Sequence, residues 1–132
     1  MPHICIYHTM DGAFKPTYKY CDTTKTQMKL LMKITQFDDN HKVVHIDASA
    51  LKKKEKKQLN FNIHRLIMFP SLSYIDLSHT NVRGDIMMIT CLPYLSHVNL
   101  NSTDVHGNAS VRILMPRLKY INVENTDVVS DS

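Results

Sequence analysis

Hydrophobic residues in the second half of the chain recur with two periods at once, every second position over short stretches and every 23 positions across them. Written in register, the stretches are Leu72-Ser-Tyr-Ile-Asp-Leu-Ser-His-Thr-Asn-Val82, Leu95-Ser-His-Val-Asn-Leu-Asn-Ser-Thr-Asp-Val105 and Leu118-Lys-Tyr-Ile-Asn-Val-Glu-Asn-Thr-Asp-Val128. Each follows a proline by two residues, at Pro70, Pro93 and Pro116. Within each, alternation such as Tyr74-Ile75-Asp76-Leu77-Ser78 has the period of a half-buried strand. In register, Ile75, Val98 and Ile121 form one apolar column. Leu77, Leu100 and Val123 form a second, and Leu72, Leu95 and Leu118 a third. A fixed period of this length predicts a solenoid, in which each unit buries its apolar face against its neighbours.

The polar positions repeat as well. Thr80, Thr103 and Thr126 recur beyond the strand, where a hydroxyl can both donate and accept, and a ladder of these hydroxyls from unit to unit is expected. Gly84 and Gly107 occupy equivalent positions where the chain must turn. The stretches Ile86–Leu92 and Ala109–Met115 read as short helical or 3₁₀ segments, after which proline returns the chain towards the next strand. Upstream, Val43 through Ser49 matches Leu72 through Ser78, so Ile46 and Ala48 become its core pair. Ile46 precedes Ile75 by 29 residues, six more than the regular spacing. The extra length falls on the lysine run and is expected on the convex side. Leu51 replaces the threonine there.

This pattern resembles the leucine-rich repeat, L-x-x-L-x-L-x-x-N-x-L, in a short 23-residue form with threonine at the asparagine position. The resemblance implies an α/β leucine-rich-repeat solenoid, a short right-handed horseshoe fragment. Parallel strands would line its concave face and helical or 3₁₀ segments its convex face. Residues 41–132 would hold about four units, the first irregular. Residues 1–40 are less legible: Ile4–Ile6 reads as a short strand and Lys25–Ile34 as a helix through Met28, Leu31 and Met32. They are expected to cap the first unit, with a divergent extra repeat as the competing reading.

Composition adds bounds. With 132 residues, 43% hydrophobic and 21% charged, the chain is one globular domain. Its net charge of +4 is concentrated in Lys52, Lys53, Lys54, Lys56 and Lys57, so no broad basic face is implied. Apolar steps at Leu59, Ile63, Leu66 and Ile67 predict that this run opens a helix docked on the sheet, with the lysines outwards. Three cysteines, Cys5, Cys21 and Cys91, include no short-spaced pair, which points to a reducing compartment. No secretory signal or membrane-length apolar stretch is present, so an intracellular, cytoplasmic protein is expected, with the nucleus as the other compartment.

The residues predicted to point outwards from the strands form columns. The first is His45, Tyr74, His97 and Tyr120, and the second Asp47, Asp76, Asn99 and Asn122. The third is Ser49, Ser78, Asn101 and Glu124. Aromatic and imidazole groups beside an acidic strip suit recognition of another protein. Four such strands offer roughly 200–300 Å², against on the order of 800 Å² per partner in a stable interface, so flanking elements must contribute. After Val128 only Val-Ser-Asp-Ser follows, and an open edge that self-associates or meets a partner is expected. The lysine run offers an alternative, a nuclear or nucleic-acid-associated accessory role. His3, Cys5, His8 and Cys21 match no compact zinc spacing, and no nucleophile has a recognisable context. No metal, cofactor or catalysis is therefore expected. The sequence points to a non-catalytic interaction or scaffold module.

Overall fold

The computed structural model describes residues 6–8, 14–16 and 25–129. It is a mixed α/β structure whose parallel strands form sheets and close no barrel. The strand expected at Ile4–Ile6 falls mostly outside the described residues, as do His3, Cys5 and Cys21. The first described strand is β1 (Ile6–His8), which pairs antiparallel with β2 (Phe14–Pro16). Helix α1 (Lys25–Ile34) follows, with the bounds that the apolar spacing predicts.

A five-stranded sheet carries the period. Its order is β3 (Thr35–Phe37), β4 (Val43–Asp47), β5 (Tyr74–Asp76), β7 (His97–Asn99) and β9 (Tyr120–Asn122). From β4 to β9 all pairings are parallel, with Ile46 beside Ile75, Ile75 beside Val98 and Val98 beside Ile121. These are the pairs that the 23-residue register and its 29-residue exception dictate. β3 differs by pairing antiparallel with β4, across a register shift at Gln36/Phe37. Met28, Leu30, Leu31 and Ile34 of α1 join the core on the same side.

A second parallel sheet, not expected from the sequence, runs β6 (Arg83–Asp85), β8 (Asp104–Asn108) and β10 (Asp127–Val129). An isolated bridge from Asn62 to Arg83 extends it into the first unit. Each unit then enters a 3₁₀ helix, at Ile63–Met68, Ile86–Cys91 and Ala109–Leu114. Short, poorly bonded helices of this kind need external caps. Asn62, Asp85 and Asn108 supply them, each accepting the amide two residues on, at 2.9, 2.9 and 2.7 Å. Between the sheets and the 3₁₀ row lies one core, in which Leu59, Leu72, Ile75, Leu77, Val82, Leu95, Val98 and Val105 are fully buried. The last unit is different: Leu118, Ile121, Val123 and Val128 are only partly covered.

Three expectations are corrected. The threonine hydroxyls do not pass from unit to unit, because Thr80 donates to Leu77 O at 2.6 Å and Thr103 to Leu100 O at 2.7 Å within their own units. Thr126 repeats the bond to Val123 O. Backbone amides join the units instead, Leu77 N to Asn99 O and Leu100 N to Asn122 O among them. Where Leu51 replaces threonine, its own amide donates to Ala48 O at 3.0 Å, so the equivalent carbonyl keeps a donor.

The lysine run and the apolar residues after it are not one helix. Helix α2 (Lys53–Gln58) ends, an extended segment carries buried Leu59 and Phe61, and the 3₁₀ helix starts anew at Ile63. Gln27 of α1 fixes the break, accepting from Asn60 N and donating to Gln58 O. Lastly, the six extra residues do not lie among the 3₁₀ helices. α2 sits at the corner between the two sheets, where Asn81 of the next unit donates through Nδ2 to Lys57 O.

Candidate functional site

Parallel in-register strands place equivalent side chains about 4.8 Å apart on one face, near enough for neighbouring rings to lean together and stack. In the first column this produces a continuous pile. His45 stacks on Tyr74 with centroids 4.0 Å apart and planes 7° from parallel. Tyr74 stacks on His97 at 4.2 Å and 8°, and His97 on Tyr120 at 4.6 Å and 17°. The inner ring faces are therefore covered by one another. What the surface displays is a rail of ring edges, with phenol oxygens and imidazole nitrogens. Tyr120, the outermost ring, is 42% exposed.

The second column lies beside the first but is partly consumed by the backbone. Asp47 Oδ1 accepts Ser49 N at 2.8 Å, and Asp76 Oδ1 accepts both Ser78 N and Ser78 Oγ, at 3.1 and 2.8 Å. Asn99 and Asn122 do the same for Asn101 N and Glu124 N, at 3.1 and 3.0 Å. These are Asx turns, in which the short polar side chain substitutes for a backbone carbonyl. They turn the chain out of each strand, so this column has a structural duty besides any contact it makes. Asn122 also donates to the Tyr120 hydroxyl at 3.2 Å. In the third column Asn101 is tied to Ser102 and Asn125, while Glu124 is exposed.

Electrostatically the rail is bordered by carboxylates. Burial, followed by the charges of Asp47 and Asp76 and the phenol of Tyr120, pushes the Tyr74 phenol above its ordinary value. A phenol so placed remains a hydrogen-bond donor through neutral and mildly alkaline pH. Among the described residues no cluster of three His, Cys, Asp or Glu side chains is set to hold a metal ion, and no helix is long and apolar enough to cross a membrane.

The basic run divides. Lys53, Lys56 and Lys57 line a cleft with His79, Thr80, Asn81 and Ser102, whereas Lys52 and Lys54 are not among its walls. Sequence reading did not find the corner residues His79, Ser102 and Asn125, which share a left-handed backbone at φ 61°, 59° and 57°. Their 23-residue spacing was the available signal, but side chains so different hide it. The sequence predicts an open edge at the last unit but not its most exposed apolar side chains, Ile113 and Leu114 of the last 3₁₀ helix and Val129 of β10, which are 84%, 62% and 61% exposed.

No protein-family model matches this chain, and no curated protein matches it.

Proposed function

We propose that the chain is a small leucine-rich-repeat solenoid acting as a non-catalytic protein–protein interaction or scaffold module, with α1 and β3 as its cap. The observation that carries this reading is the pile His45–Tyr74–His97–Tyr120, four rings held in register beside Asp47 and Asp76 on an exposed sheet. A rigid, pre-stacked surface loses little rotamer freedom on binding, which favours its use as an interface. A protein partner would meet ring edges, phenol hydroxyls and the acidic strip formed by Asp47, Asp76 and Glu124, with Asn99 and Asn122 between.

The sheet face alone remains smaller than a stable interface requires. A second copy of the chain supplies the missing area on this reading. β9 and β10 are the outer strands of their sheets among the described residues, and Val129 of β10 stands exposed, as do Ile113 and Leu114 of the 3₁₀ helix that precedes β9. A second copy abutting this edge would cover the outer face of Tyr120 and the partly covered Leu118, Ile121, Val123 and Val128. The proposed setting is intracellular.

The test compares the intact chain with a Tyr74→Ala/His97→Ala/Tyr120→Ala variant in quantitative affinity capture, with circular dichroism checking the fold. Selective loss of a set of proteins from the variant supports the concave-face reading. Equal recovery of every captured protein would end it.

A further inference from the structure

We propose that the cleft between α2 and the corner of the next two units binds a small molecule carrying clustered phosphates. It rests on side chains other than those of the stacked column and is independent of that column's role.

The six residues that break the 23-residue period build one wall. Lys53, Lys56 and Lys57 are spaced i, i+3 and i+4, so they share one face of α2. The single carboxylate of the run is occupied elsewhere, since Glu55 Oε2 pairs with Lys33 Nζ of α1 at 2.7 Å and Glu55 Oε1 accepts Lys52 N at 3.1 Å. The opposite wall comes from two later units: His79, Thr80 and Asn81 from one, Ser102 from the other. Asn81 joins the walls, its amide donating to Leu59 O at 2.8 Å and its Nδ2 to Lys57 O at 2.6 Å.

The cleft has a volume of about 550 Å³, within the span of roughly 300–1,000 Å³ typical of small-molecule sites. Its walls carry three lysines and a histidine beside Thr80, Asn81 and Ser102, with no carboxylate among the described walls. The Thr80 and Ser102 hydroxyls donate to Leu77 O and Asn101 Oδ1, so the lysines and His79 are the groups left to meet an anion. Asp104, two residues from Ser102, and Glu124, whose backbone carbonyl accepts Ser102 N at 2.9 Å, are not among the lining residues. Lys53, Lys56 and Lys57 make no ion pair among the described residues. Crowded like charges on one helix face repel, and a polyanion would relieve that repulsion while gaining charge-assisted hydrogen bonds. Three lysines spaced along one helix face exceed what a lone phosphate can engage at once, so clustered phosphates fit better. The irregular unit thus becomes a functional insertion.

The test is calorimetric titration of the full chain at physiological salt, with inositol hexakisphosphate as probe and inorganic phosphate as comparison. Lys53→Gln/Lys57→Gln removes two charges from the cleft, and Lys52→Gln/Lys54→Gln removes two from the same run outside it. The expected result is binding of the hexakisphosphate, weakened at least tenfold by the first pair and less than threefold by the second. Ser102→Asp places a carboxylate on the far wall at a left-handed position that aspartate tolerates, and should weaken binding without touching α2. A second arm uses vesicles containing phosphatidylinositol 4,5-bisphosphate, and tighter binding there than to the free headgroup would name a membrane lipid as the source. Equal losses from the two lysine pairs, preference for duplex DNA, or no heat with any phosphate probe would overturn the proposal.

Discussion

A Cβ added at Gly84 would lie 2.4 Å from Asn62 Oδ1, the oxygen that caps the preceding 3₁₀ helix, and the backbone there has a φ of 124°. Gly107 repeats the arrangement against Asp85 Oδ1 at 2.5 Å. Each glycine is thus required twice, by its dihedral and by the close approach of the neighbouring unit's cap. Gly84→Ala should destabilise the protein by about 2–4 kcal/mol in urea unfolding. Asn62→Ala removes the clashing oxygen along with the cap, so the double variant should lose about 1 kcal/mol less than the sum of the singles. Strict additivity would show that the dihedral alone sets the requirement. The threonines make a similar point. Thr103 is buried and its hydroxyl serves Leu100 O, so Thr103→Val should cost about 1–2 kcal/mol. Since Thr80 and Thr103 each serve their own unit, their valine variants should add within about 0.5 kcal/mol.

At the scale of elements, the stack and α2 respond to pH in opposite directions. Tyr74 has a raised folded pKa, so its contribution is complete below the ordinary tyrosine range and is lost as pH rises through the folded value. Tyrosinate absorbance should show a late-titrating phenol that Tyr74→Phe removes. Glu55 has a lowered folded pKa, chiefly through its bond from Lys33 and then the Lys52 amide. Its contribution is complete above the ordinary carboxylate range and is lost as pH falls through the lowered value, a limb that Glu55→Gln should abolish in an acid unfolding titration. His97→Ala removes two ring contacts and should cost about 1–3 kcal/mol. Much of this was legible. The register that aligns His45, Tyr74, His97 and Tyr120 follows from the 23-residue echo and its six-residue exception, and the bounds of α1 follow from the helical spacing of Met28, Leu31 and Met32. The second sheet was hidden because Arg83-Gly84-Asp85 has no strand-like composition. Its pairing is imposed by neighbouring units rather than by local propensity. The break at residues 59–62 was hidden because Leu59, Ile63 and Leu66 are helically spaced yet serve different elements. Ring stacking itself could not be read, since a column of outward positions does not specify how their side chains orient.

For the molecule as a whole, the contrast between covered inner units and the thinly covered last one sets the expected association behaviour. If a second copy covers the outer edge, light scattering should show a dimer that grows with concentration, and Ile113→Glu or Val129→Lys should restore the monomer. A monomer throughout the accessible range would remove self-association from the proposed function and leave the concave face to be tested separately. That same contrast has a kinetic side. Units that contact only their neighbours open from the side with least burial, so amide exchange should be fastest in β9 and β10 and slowest around β5 and β7. A ligand at the outer edge would slow exchange first in β9. One in the α2 cleft would slow the amides of residues 53–59 and 79–81. Exchange protection could therefore report which surface a partner has chosen before the partner's structure is known.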